Sequence, residues 1–441
     1  MERDRQRKHN SLLKQLGNQD TFELKISLLN KNPIAFVDAL KDNSTLHSLT
    51  VKKGFQHIHV SSLSAIAQVL RENSTLASLN LSGIKIGDEG AICISESLKV
   101  NTSLTSLNLY FSAINKMGAK AIADSLEVNS SLTSLNLKAN NIEGEGAISI
   151  AEALKVNSSL TSLNIQFNSI GNHGTLAFAD ALKVNLAIKS LDLGANLITE
   201  EGAIAIADAL KVNSSLTSLN LYQNFIEQEG AIAIADALKV NSSLTSLGLK
   251  YTSIQTGGAV AIADALKVNT SLTSLNLEGN SIHQHGAIAI ADALKVNLII
   301  QSLDLGENTI LKEGTIAIAD ALKVNSSLTT LNLRGSSMQV EGAIAIADAL
   351  RVNTSLTSLN LSQKNYIGFH GSASIANALT YNPTLIHLEM NNIHKPIHSG
   401  LQKFMNTFKN LKDLLKVLIC EDGAEVLGAA FCIKSRSVTL R

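Results

Sequence analysis

Charge of either sign is missing in excess: thirty-seven Lys and Arg balance thirty-seven Asp and Glu. No overall field therefore draws the chain to nucleic acid or to an acidic membrane surface. Cysteine is scarce, and Cys93, Cys420 and Cys432 show neither metal-ligand spacing nor an evident disulfide pattern, which suits a reducing compartment. No apolar run reaches the roughly 18 residues that a bilayer span requires. The charged opening MERDRQRKHN leads into the mixed run SLLKQLGNQD rather than the apolar core of a signal peptide. A cytoplasmic protein without a membrane span is the expectation. A Walker-type phosphate loop and a nucleophile elbow are absent as well. His283 and His285 share one turn, and His387, His394 and His398 gather near the end, but none has an adjacent carboxylate or cysteine at metal spacing. The expectation is a chain with no catalytic residues, no cofactor and no metal. Aromatic residues number only sixteen, five Tyr and eleven Phe, so their placement carries information.

What the chain has in abundance is one unit. From Leu216 it reads LTSLNLYQNFIEQEGAIAIADALKVN, and the equivalent leucine recurs at 76, 104, 132, 160, 244, 272, 328 and 356, with isoleucine at 188 and 300. A fixed 28-residue period signals stacked structural units, each burying its face against its neighbours. Within a unit, Leu-Thr-Ser-Leu-Asn-Leu alternates apolar and polar residues, as a strand does. Successive strands are separated by a crossover, so they must pair in parallel. The second half, GAIAIADALKV, is rich in Ala and Leu; in the copy from Gly230, Ala231, Ile234, Ala235 and Leu238 share one helical face. Strands stack at about 4.8 Å and helices at about 8 to 10 Å, so the array bends with strands inside and helices outside.

The Asn-Ser-Ser and Asn-Thr-Ser triplets, such as those at Asn101, Asn157, Asn213, Asn269 and Asn353, match the glycosylation pattern. Each Asn follows the Lys-Val, or at Asn353 the Arg-Val, that closes the helix, and the reading preferred here is a C-cap in the left-handed conformation.

With its many copies, the pattern LxSLNLxxNxIxxEGAxAIAxALKVN resembles the ribonuclease-inhibitor class of leucine-rich repeats. It is especially similar to the repeat domains of intracellular nucleotide-binding leucine-rich receptors. The resemblance implies an α/β solenoid, a horseshoe with a parallel inner sheet and outer helices. It also implies an asparagine ladder, which maps onto Asn140, Asn168, Asn196, Asn224, Asn280 and Asn308, interrupted by Ile84, Ser112, Thr252, Ser336 and Lys364. The serines and threonine can partly replace the missing hydrogen bonds. The division expected is a helical cap over 1–45, about thirteen strand units over 46–398, and a helical cap and tail over 399–441. The first unit, from Leu46, is degenerate, with Lys52, Lys53, His57 and His59 in its turn. The copies VNLAIKSLDLGAN from Val184 and VNLIIQSLDLGEN from Val296 stand 112 residues apart, and indicate duplication of a four-repeat block.

Internal comparison shows where copies differ: in the two residues after each strand's last leucine. Alternation points the first of each pair into the concave face. Five of the sixteen aromatics lie in these two columns, and aromatics and arginine are the residue types that anchor interfaces. Tyr110, Phe111, Lys138, Phe167, Tyr222, Lys250, Tyr251, Glu278 and Arg334 are the candidate protein-binding residues. A second feature is isoleucine two residues after the helix-opening glycine, at 92, 148, 204, 232, 288, 316 and 344. It reads either as packing between adjacent helices or as a convex self-association surface on an otherwise monomeric chain.

The functional expectation is a non-enzymatic scaffold that binds another protein on its concave face. The resembled receptors carry a nucleotide-binding module that this chain does not show. Stand-alone arrays of such repeats also resemble effectors that intracellular bacteria deliver into the host cytosol. Two alternatives are a GTPase-activating protein of the Ran type, whose acidic tail contrasts with KSRSVTLR here, and a ribonuclease inhibitor, for which the face is too weakly acidic.

Overall fold

The computed structural model describes residues 20–52, 58–391 and 418–420. Lys53, His57, His394, His398, Cys432 and all of the helical spacing expected at 401–423 except Leu418–Cys420, which is a strand, lie outside them. The chain divides into two compact units, the first ending at Asn224 and the second beginning at Phe225.

Among the described residues the first unit holds eight strands and eight helices. The strands run from Thr21–Lys25 and Ser48–Lys52 through short segments such as Ser134–Asn136 and Ser162–Asn164 to Ser218–Asn220, every pairing parallel. Register is one repeat: Ser134 opposes Ser162, Leu135 opposes Leu163 and Asn136 opposes Asn164. The second unit holds six helices and seven strands, Ser246–Gly248 to Leu418–Cys420, again parallel. Seven strands from Ser48–Lys52 to Ser218–Asn220 and six from Ser246–Gly248 to His387–Asn391 follow one another in this way. The α/β leucine-rich-repeat solenoid follows.

Period explains the core. Leu132, Leu135, Leu137 and Ile142 of one repeat are at most 1% exposed, and burying each such side chain contributes roughly 1.5–3 kcal/mol. On the helix Glu143–Val156, Ala147, Ile150, Ala151 and Leu154 face inward. The recurring glycine is a matter of space: a Cβ at Gly146 would stand 2.7 Å from Ile142 Cγ2 and 2.9 Å from Ala119 Cβ on the preceding helix.

Two asparagine columns stitch repeats together. The ladder holds where expected: Asn168 Nδ2 donates to Leu137 O and Ile165 O, both at 2.9 Å. Thr252 substitutes well, its hydroxyl donating to Leu249 O at 2.7 Å. Ser336 does not, because its buried Oγ has no partner. Lys364 is not an interruption after all. One residue is inserted before Asn365, and Asn365 itself takes the ladder position, with Nδ2 2.8 Å from Leu333 O.

The second column corrects the capping expectation. Asn157 has φ −71° and ψ 127°, which is extended rather than left-handed. Its Nδ2 donates to Leu126 O (2.7 Å) and Asn129 O (3.0 Å) of the preceding repeat, while its Oδ1 accepts from Ser159 N (3.1 Å) and Leu160 N (2.8 Å). The side chain closes a local turn and ties it to the carbonyl that ends the neighbouring helix. That double duty accounts for the Asn-x-Ser-Leu pattern.

The segment Thr21–Lys25, expected to be helical, is a strand pairing Leu24 with Val51. Its alternation buries Leu24 and exposes Glu23 and Lys25, and the open edge of Ser48–Lys52 supplies the hydrogen bonds. Leu418–Cys420 likewise pairs with Glu389–Asn391. Five of the flank isoleucines, Ile92, Ile148, Ile204, Ile316 and Ile344, are 36–41% exposed, Ile232 and Ile288 are less so, and the valines of Lys-Val-Asn stand further out, as at Val156. Among the described residues no helix is long and apolar enough to cross a membrane.

Candidate binding surface

Most repeat strands end in the same turn; Ser246–Gly248, which ends in glycine, is an exception. The strand's Asn or Asp folds its Oδ1 back onto the amide two residues on, as Asn108 does to Tyr110 N, Asn136 to Lys138 N and Asn332 to Arg334 N, all at 3.0 Å. The following residue is left-handed: φ is 52° at Phe111, 55° at Ala139, 57° at Phe167, 54° at Gln223, 54° at Tyr251 and 57° at Glu307. This breaks the strand alternation. The second residue of each pair also turns outward, and where the first is Gln166, Tyr222 or Lys250 the second is the more exposed. The signal was in the sequence as Gly83, Gly279 and Gly335, since glycine adopts that conformation without strain.

In the first unit the Tyr110 and Phe111 ring centroids are 6.1 Å apart, and both side chains are exposed. Lys138 Nζ lies 5.6 Å from the centre of the Phe167 ring, within cation–π range. Gln166 is buried beside Gly194, where a Cβ would stand 2.9 Å from Gln166 Nε2. Asp192 is raised above the usual carboxylate range by burial, against the opposing effects of the Gly194 amide, Asn220 and Lys138. Tyr222 is half-buried.

The second unit brings Lys250, Tyr251, Glu278 and Arg334 together with Glu307, which the sequence reading missed. Lys250 Nζ is 2.6 Å from Glu278 Oε2. Arg334 reaches Glu307 Oε1 at 2.9 Å and Glu278 Oε1 at 3.9 Å. The Tyr251 hydroxyl donates to Glu278 Oε1 at 3.4 Å, and Lys250 Nζ sits 5.0 Å from the Tyr251 ring centre. Burial would lower the Lys250 pKa, but the hydrogen bond and charge of Glu278 raise it on balance. Burial and the Glu278 charge both raise Tyr251. Asp304 is raised by burial, opposed by the Gly306 amide and Asn332. Glu278 itself is 4% exposed. It cannot serve as an outward contact and instead positions the two cations.

The repeat geometry has a sequence counterpart. The family described as Leucine Rich repeat matches eight times, at residues 72–95, 100–123, 128–151, 156–179, 184–207, 212–235, 268–291 and 324–347. The matched segments are leucine-rich repeats. No curated protein matches it significantly. Among solved structures it is similar to the leucine-rich repeat-containing protein LegL7 from Legionella pneumophila, at 18% identity and a TM-score of 0.41, covering 65% of this chain and 94% of that one. It is also similar to leiomodin-1 actin-binding site 2 (27% identity, TM-score 0.30, 33% of this chain and 86% of that one). The tropomodulin C-terminal domain of Caenorhabditis elegans matches at 19% identity and a TM-score of 0.31, over 34% of this chain and 92% of that one.

Proposed function

We propose that the protein is a non-enzymatic scaffold that binds another protein on the exposed face of its sheet, the face the family resemblance makes concave. One observation carries this reading: large aromatics stand exposed at left-handed positions, Phe111 at 47%, Phe167 at 42% and Tyr251 at 40%. Holding a non-glycine residue there costs on the order of 1 kcal/mol, and three repeats use glycine instead, so the fold itself does not need a ring. Exposed aromatics on a pre-ordered surface are what partner recognition uses, because little side-chain entropy is lost on association. A bacterial-effector origin belongs to the same reading, supported by the near-identical blocks 112 residues apart.

The test is site-specific photocrosslinking. Benzoylphenylalanine in place of Phe167 should trap a discrete partner from lysate, and Phe111→Ser with Phe167→Ser should abolish capture by the unmodified chain. Capture only from Ile204, on the helix flank, would overturn the sheet-face reading.

A further inference from the structure

Residues 112 apart make corresponding places in the two units comparable. Lys138 corresponds to Lys250, Gln166 to Glu278, Ala139 to Tyr251 and Phe167 to Gly279. The ring has changed repeats, yet it occupies the same spot. In the first unit it belongs to Phe167, with small Ala139 before it. In the second it belongs to Tyr251 and extends over Gly279, where any Cβ would collide with the ring edge. Both arrangements set one lysine ammonium near one ring, at 5.6 Å and 5.0 Å from its centre. The charge beneath them differs. Gln166 is neutral, and no ion pair to Lys138 occurs among the described residues. Glu278, at the corresponding position, pairs with Lys250 at 2.6 Å.

We propose that each unit carries its own docking site for an acidic protein segment with an apolar side chain, and that Gln166 and Glu278 set each site's preference for negative charge. This rests on the sheet-face reading above and adds the partner's chemistry and the number of sites. The ring takes the apolar side chain and the lysine takes one carboxylate. Charge complementarity favours a carboxylate over nucleic acid: a single ammonium with Asp192 nearby suits one negative charge and repels a chain of phosphates. Because Glu278 already neutralises Lys250, the second site is the weaker and less salt-sensitive of the two.

Isothermal titration of the intact chain with a synthetic peptide of alternating glutamate and phenylalanine tests this. Two binding events are expected, the tighter lost in Lys138→Ala and the weaker lost in Lys250→Ala. Glu278→Gln should tighten the second event several-fold and Gln166→Glu should weaken the first. A glutamine-for-glutamate peptide should bind at least tenfold more weakly. Equal binding of that peptide, no binding of either, binding indifferent to Lys138→Ala, or an oligothymidylate occupying the Lys138 site would each overturn the proposal. If photocapture at Phe167 persists while the acidic peptide fails, the sheet-face reading stands and only this inference falls. Loss of capture from the sheet face overturns that reading instead.

Discussion

The four-repeat block around Asp192 and its copy around Asp304 share a scaffold and differ on their face. Both aspartates are buried enough to be raised above the ordinary carboxylate range, and both receive the amide of a glycine two residues on. Both ladders are built the same way, Asn168 reaching Leu137 O and Asn280 reaching Leu249 O. Around this common frame Gln166 has become Glu278, Tyr222 has become Arg334 and Ala195 has become Glu307. One face is aromatic with a lone lysine, and the other is an ion-pair network. The ladder hydrogen bonds tolerate few side chains, whereas the two columns after the strand tolerate many, including the buried Gln166 and Glu278, so divergence concentrates outside the ladder.

The ladder carries the largest expected effects. Asn168→Ala and Asn280→Ala should each cost about 2–4 kcal/mol, because each leaves buried carbonyls without donors; urea unfolding should show the two losses to be similar. A clear inequality would mean that the scaffolds are not equivalent. Gly279→Ala should cost about 2 kcal/mol, combining left-handed strain with displacement of the Tyr251 ring. In a double-mutant cycle Tyr251→Ala should recover about half of that loss, since only the strain remains. Full recovery would show that strain contributes nothing.

Ser336→Asn acts in the opposite sense. It should stabilise the second unit by about 1 kcal/mol by completing the ladder at a hydroxyl that has no partner; an unchanged midpoint would count against the ladder as a source of stability. The smallest effect concerns pH. A carboxyl raised in the folded state holds its proton more tightly there than when unfolded, so its ionisation at neutral pH opposes folding. That penalty disappears as pH falls through the folded pKa towards the unfolded value. Asp192→Asn and Asp304→Asn should therefore each raise stability at pH 7 and flatten its rise on the acid side, with thermal melts across pH 3–7 as the measurement.

Much of the fold was legible because period 28, strand alternation and the helical face all describe contacts between identical positions. The ladder asparagines were legible for the same reason. The Lys-Val-Asn column was misread as a left-handed cap, because the partner that decides its role, the Leu126 carbonyl for Asn157, lies one repeat away. Thr21–Lys25 was misread because a short segment becomes a strand when a sheet edge is there to receive it. At the site, the variable columns were found, but the inward turn of Glu278 and the inclusion of Glu307 were not. Their orientations follow from Lys250 and Arg334 in neighbouring repeats.

By itself, then, the sequence determined which residues are interchangeable from repeat to repeat: the leucines, the helix alanines, the glycine and both asparagines, whose environments are the same in every copy. Tertiary structure alone decided what the variable residues do. The left-handed turn faces the second column outward and leaves first-column residues such as Gln166 and Glu278 buried, and stacking sets Lys250, Glu278, Glu307 and Arg334 within reach of one another across repeats. A periodic pattern specifies a repeated contact, whereas the meeting of four different side chains depends on distances that no single repeat encodes.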